Sequence, residues 1–171
     1  MTQAVMTMIV ILAILLSLHI FIIAWLLWSQ RNGNTVLIQS DHAYLVVYAS
    51  QSGHAESWAK HTVEQLQLIH QQVTLKNIQK LTINDLTQYQ RILWVVSTYG
   101  EGDAPDDAQH FVHKILPQPI DLSHLSFAIL ALGDKRYTNF CQFGQSIEQW
   151  LLQQKAQPLF STVLVDQLNS R

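Results

Sequence analysis

Chemistry in this chain concentrates first in Tyr48-Ala49-Ser50-Gln51-Ser52-Gly53-His54-Ala55-Glu56. Ser50 and Ser52 supply hydroxyls, and Gly53 lets the backbone bend and come close to a ligand. A short apolar run, residues 43–47, precedes the turn, and Ala55, Trp58, Ala59, Thr62, Leu66 and Ile69 follow at helical spacing. The turn therefore presents backbone N–H groups at a helix N-terminus, where orphan donors and the positive dipole end favour an anion. It contains no Lys or Arg, so the fitting anion is a small phosphomonoester held by neutral donors. The spacing matches neither G-x-x-x-x-G-K-[ST] nor G-x-G-x-x-G. Alone, it serves equally well as a plain strand-to-helix connection with a serine cap.

The elements that position this turn repeat along the chain. Residues 73–78 alternate as a second strand, and residues 81–89 read as a short helical turn. Residues 91–97 (R-I-L-W-V-V-S) form a near-continuous apolar run, the pattern of a strand buried on both faces. Ser97-Thr98-Tyr99-Gly100-Glu101-Gly102-Asp103 follows as a loop, and Pro105 opens a helix expected to run to about Ile115, with Asp106 and Asp107 capping its first turn. Residues 126–132 form another buried strand, which leads into Gly133-Asp134-Lys135-Arg136-Tyr137-Thr138-Asn139-Phe140-Cys141. A helix over 146–152 and a last strand over 157–165 complete the pattern. Strands alternating with helices predict an α/β doubly wound, five-stranded parallel sheet. In the order 2-1-3-4-5, a ligand sits at the carboxyl ends of strands one, three and four, where the three loops lie.

The bulk numbers bound the rest. The 171 residues hold one domain plus an accessory segment. A net charge of −2 gives no reason to expect a nucleic-acid partner. The one cysteine, Cys141, excludes an internal disulfide and a cysteine-based metal site, and the eight histidines show no H-E-x-x-H, so no metal is expected. The 49% hydrophobic content is concentrated at the N-terminus. Residues 4–28 carry no charged side chain, and a helix of about 25 residues at roughly 1.5 Å each spans the ~30 Å hydrocarbon core. Trp25 and Trp28 mark an interface and Arg31 follows, which predicts a single-pass transmembrane anchor over 1–28 with the globular part in the cytoplasm. The run is too long for a signal peptide and lacks its basic start and cleavage site. Residues 29–42, with Asn32-Gly33-Asn34, read as a linker with a reach of roughly 20 Å, and residues 43–171 as the globular domain.

Over about residues 43–166 the sequence resembles the flavodoxin-like, FMN-binding family. It is most similar to the FMN domain of diflavin reductases, the sulfite reductase flavoprotein and cytochrome P450 reductase among them. S-Q-S-G-H-A-E, S-T-Y-G-E-G-D-A-P-D-D-A and A-L-G-D-K-R-Y-T-N-F-C-Q-F-G carry the resemblance. It implies that Ser50, Gln51, Ser52, Gly53, His54 and Ala55 cradle the FMN phosphate. Ser97, Thr98, Tyr99, Gly100 and Gly102 then form one loop beside the isoalloxazine, and Leu132, Gly133, Asp134, Tyr137, Phe140 and Cys141 the other. Tyr99 and Tyr137 are the implied stacking pair, Asp166 matches an acidic position near the flavin, and Gly100 lets its peptide turn toward flavin N5. His54 departs from the Asn or Thr usual in the family.

The resemblance implies a membrane-anchored electron-transfer flavoprotein with FMN as cofactor. It would take electrons from an NADPH-dependent, FAD-containing reductase and pass them singly to a haem or iron–sulfur acceptor protein. Glu101, Asp103, Asp106, Asp107 and Asp134 would crowd the flavin rim, lower the potential of the second reduction step and dock a basic partner. No protein nucleophile or general base is required. The family's closing helix and its FAD- and NADPH-binding modules are not found in these residues, so a fragment of a diflavin oxidoreductase is one alternative. A stand-alone NAD(P)H:quinone or flavin reductase and a non-redox anchored scaffold are the others.

Overall fold

The computed structural model describes residues 43–166. Its strands are β1 (Tyr44–Ala49), β2 (Val73–Asn77), β3 (Arg91–Ser97), β4 (Ser126–Gly133), β5 (Gln157–Pro158) and β6 (Val163–Asp166). The α-helices are α1 (His54–Leu68), α2 (Ile83–Gln88) and α3 (Gln142–Gln153). The predicted anchor over 1–28 and linker over 29–42 lie outside the described residues. Among the described residues no helix is long and apolar enough to cross a membrane.

All strand pairs are parallel, in the order β2-β1-β3-β4-β5 with β6 also on β4. This is the predicted doubly wound order, with one correction: the fifth strand is broken. Gln157 and Pro158 pair with Ser126 and Phe127, whereas 163–166 pair with 130–133. Pro158 has no N–H to continue a ladder, and Leu159 gives its amide to Phe127 at 2.7 Å before the chain leaves the sheet.

Side-chain alternation along the central strands divides the core between the two faces. Leu45, Val47, Ala49, Ile92, Trp94 and Val96 join one cluster with Phe111, Ile147, Trp150 and Leu151. Phe111 lies 5.6 Å from Trp94 and 5.4 Å from Trp150, the latter edge-on. Val46, Val95 and Leu132 face the other way, against Ala55 and Ala59 of α1.

Two further element predictions change, and the short helix expected over 81–89 is found with added detail. The segment after Pro105 is a 3₁₀ turn over Asp106–Ala108 and a π-type turn over Phe111–Ile115, not a regular α-helix. Helix α3 begins at Gln142, four residues before the predicted start. Helix α2 gains a capping box: the Thr82 hydroxyl accepts from the Asp85 amide, and the Asp85 carboxylate accepts from the Thr82 amide and hydroxyl. Lys76 on β2 reaches the same carboxylate at 2.5 Å, fastening α2 to the sheet.

Candidate functional site

The turn after β1 leads into α1 through Gly53, whose φ of 85° is the left-handed conformation a glycine adopts without strain. A Cβ built there meets nothing within 4 Å, so the space above the turn is open. Among the described residues no side chain caps the first turn of α1. Its leading N–H groups remain available to an anion. Gln51, Ser52, Gly53 and His54 are exposed, while Ala55 is buried and roots the turn in the core. The Ser50 hydroxyl is buried and has no hydrogen-bond partner among the described residues.

The loop after β3 closes on itself. Tyr99 donates its amide to Asp103 O at 2.9 Å, and Asp103 returns its amide to Tyr99 O at 2.8 Å. The tight return needs positive φ at Gly100 (52°) and Gly102 (124°). Tyr99 stands out from this loop, 57% exposed, although tyrosine rings normally gain from burial. Ser97 and Thr98 point elsewhere. The Ser97 hydroxyl donates to Ala49 O at 3.1 Å and ties β3 to β1. Thr98 gives its amide to Leu132 O and accepts the Phe143 amide on its hydroxyl, fixing the start of α3.

Leu132 and Gly133 end β4 and are buried, with Asp134 next to them and Tyr137 38% exposed. Register places Asp166, the end of β6, directly beside Gly133. Cys141 is fully buried at φ 57°, and its thiol donates to Ala131 O at 3.2 Å. Burial pushes that thiol up to about 11, which makes it a packing group rather than a nucleophile. Asp134 forms a fork with Arg136, with Nη2 to Oδ2 at 2.6 Å. Hydrogen bonds from the Arg136 side chain and amide hold its carboxyl below the usual range. Of the five acidic residues expected to crowd the rim, Asp134 is therefore offset by Arg136.

Asp106 and Asp107 also depart from expectation. Neither side chain caps its own turn. Asp106 instead pairs with Gln51 in both directions: Gln51 Nε2 donates to Oδ2, and the Asp106 amide donates to Gln51 Oε1, each at 2.9 Å. Asp107 Oδ2 accepts the Ser50 amide at 3.2 Å and the Asn77 side-chain amide at 2.7 Å. Asn77 and Asn139 were not singled out from the sequence. Asn139 donates to Glu101 O at 2.6 Å and joins the loops after β3 and β4. Gly102 was a signal for that closeness, since a Cβ there would lie 2.8 Å from Asn139 Cβ.

The three loops thus meet at one end of the sheet, after β1, β3 and β4, with Asp166 alongside. The sequence profile of the Flavodoxin family matches residues 46–171. The Bacillus subtilis (strain 168) sulfite reductase (NADPH) flavoprotein alpha-component is 40% identical over 108 residues, covering 62% of this chain and 18% of its own length. Methionine synthase reductase of Homo sapiens is 37% identical over 123 residues, covering 70% of this chain and 18% of its own. The chain therefore spans about a fifth of the length of these curated relatives. Among solved structures, oxidised flavodoxin 2 from Bacillus cereus superposes with a TM-score of 0.66 at 28% identity, over 72% of this chain and 84% of that one. Flavodoxins carry FMN, and the residues here suit it. The open, uncapped turn and the unpartnered Ser50 hydroxyl match a phosphate. The exposed Tyr99 and Tyr137 match an aromatic ring.

Proposed function

The chain belongs to the flavodoxin family, and from that premise we propose that it is a membrane-tethered one-electron carrier with FMN as its working group. The observation that carries this reading is the meeting of an uncapped anion turn and two exposed tyrosines at the same sheet end. In this reading Ser50, Ser52 and the amides of 51–55 hold the phosphate. Tyr99 and Tyr137 flank the ring and exclude water from it. Bound FMN supplies the redox chemistry, taking up two electrons and releasing them one at a time. Gly100, with open space where a Cβ would stand, leaves its peptide free to present either its N–H or its C=O to the ring edge. Asp166 and the loop backbone set the charge the ring feels.

The donor in this reading is an NADPH-dependent, FAD-containing reductase and the acceptor a haem or iron–sulfur protein. The names of the relatives support it, since one is an NADPH flavoprotein component and another a reductase. Glu101 and Asp103 are exposed acidic residues on the ring side and would face a basic partner. The apolar stretch over 4–28 supports attachment to a membrane, with the domain on the cytoplasmic side. The test is to purify the full chain in detergent, load it with FMN and titrate it with a reductant. The expected result is a yellow protein reduced in two resolved one-electron waves, inert to NADPH until a flavin reductase is added. A colourless protein that ignores FMN sinks the reading, and NADPH oxidation by the chain alone transfers it to the reductase class.

A further inference from the structure

The 3₁₀ turn over Asp106–Ala108 belongs to neither ring loop, yet its two carboxylates grip the anion turn from behind. Asp106 meets the Gln51 side chain, whereas Asp107 holds the backbone of the turn. Its Oδ2 takes the Ser50 amide, 57 residues away in sequence, and the Asn77 side-chain amide from the end of β2. Asn77 is itself fixed, since its Oδ1 accepts the Gln79 amide at 2.8 Å. The other Asp107 oxygen is buried and has no hydrogen-bond partner among the described residues, nor does any described cation pair with this carboxylate. Two of the described lysines are matched elsewhere, Lys60 with Glu56 and Lys76 with Asp85.

We propose that Asp107 is the positioning residue of the phosphate turn, holding the Ser50 amide so that the Ser50 hydroxyl and the following amides face the phosphate, while its uncompensated charge weakens the grip on that anion. This rests on the FMN reading above. Two consequences follow from the geometry. The Ser50 amide is committed to Asp107, so phosphate donors begin at the Ser50 hydroxyl and the Gln51 amide. Acceptor and charge are also separable, because a side-chain amide of the same shape keeps one oxygen for the two donors and replaces the unpartnered oxygen with a neutral NH₂.

The experiment uses the full chain in detergent, native and with Asp107→Asn or Asp107→Ala. It reads hydrogen–deuterium exchange of peptides covering Ser50 in the flavin-free protein, and dissociation constants for FMN and for riboflavin, which lacks the phosphate. Asp107→Asn is expected to keep Ser50 protected and to tighten FMN about three- to ten-fold by removing a like charge, with riboflavin unchanged. Asp107→Ala is expected to lose Ser50 protection and weaken FMN about ten-fold or more, again with riboflavin nearly unchanged. Unaltered Ser50 exchange in Asp107→Ala overturns the proposal, as does a parallel loss of FMN and riboflavin in Asp107→Asn. If Asp107→Ala fails to fold, the Asn variant decides through its FMN-to-riboflavin ratio. If the native chain binds neither flavin, the cofactor reading falls, and Ser50 exchange still tests the positioning role.

Discussion

Replacing Ser50 by alanine should move the stability of the empty and loaded protein in opposite directions. The Ser50 hydroxyl is buried without a partner among the described residues, and such burial costs about 1–3 kcal/mol in proteins. Alanine relieves part of that cost, so flavin-free Ser50→Ala should be about 1 kcal/mol more stable, a rise of roughly 3–5 °C in Tm for a domain of this size. On the proposed reading, the same hydroxyl donates to the FMN phosphate in the loaded protein. A hydrogen bond to a charged group contributes about 1.5–3 kcal/mol, so the FMN Kd should rise roughly 10- to 150-fold. At FMN one hundred times the native Kd, binding stabilises the native chain by about 2.7 kcal/mol. With a Kd thirty-fold weaker, that figure falls to roughly 0.9 kcal/mol. Loaded Ser50→Ala should thus melt below loaded native protein although the empty variant melts above empty native protein. Differential scanning fluorimetry with and without FMN, with riboflavin as control, reads both signs. An empty variant that melts lower, together with unchanged FMN affinity, would mean that the hydroxyl is structural and would refute the reasoning.

Other substitutions test the scaffold and the site's surroundings. Gly144→Ala places a Cβ 2.4 Å from Ala131 Cβ, so α3 must lift off β4; denaturant melts should show a loss of about 2–3 kcal/mol, partly restored by Ala131→Gly. For Asp85, burial pushes the carboxyl up, but hydrogen bonds from Lys76 and Thr82 outweigh it and hold the net value below the ordinary 3.8. Its folded value lies below its unfolded value, so its stabilisation is complete above about pH 4 and fades as pH falls through the folded value. Asp85→Asn should therefore cost about 1–3 kcal/mol at pH 7 and flatten the acid limb of a stability–pH curve, and an unchanged limb would exclude this role. Cys141, raised to about 11 and buried, should resist a thiol reagent at pH 8 in the native state and react only as fast as the protein opens.

The sheet order and the identity of the three loops were legible because buried parallel strands write themselves as continuous apolar runs, as in residues 91–97 and 126–132. The loops then fall at strand ends by counting alone. What escaped the sequence depends on contacts between distant residues. Asp106 and Asp107 look like first-turn caps until the fold brings them to Gln51 and Ser50, more than fifty positions away. Asn139 is one polar loop residue among several until Glu101 O lies 2.6 Å from it. The Arg136 fork is a local pair, but its geometry cannot be read from adjacency, and it changes Asp134 from a free rim charge to a matched one. Strand five reads as one element because Leu159-Phe160 and Val163-Leu164-Val165 are apolar, although Pro158 and the polar pair Ser161-Thr162 mark its break. The segment from Asp106 to Ile115 keeps an apolar spacing close enough to helical that its 3₁₀ and π windings leave no separate trace.

The amide of Asn139 on Glu101 O, with Gly102 packed too closely against Asn139 to admit a side chain, makes the tyrosine-bearing loops mechanically one jaw. A rearrangement at Gly100 is expected to reach Tyr137 through this contact, and a residue exchanged on either loop to alter the setting of the other. Substitutions on the two loops should accordingly fail to combine as independent increments, and drift in one loop would call for matching drift in the other.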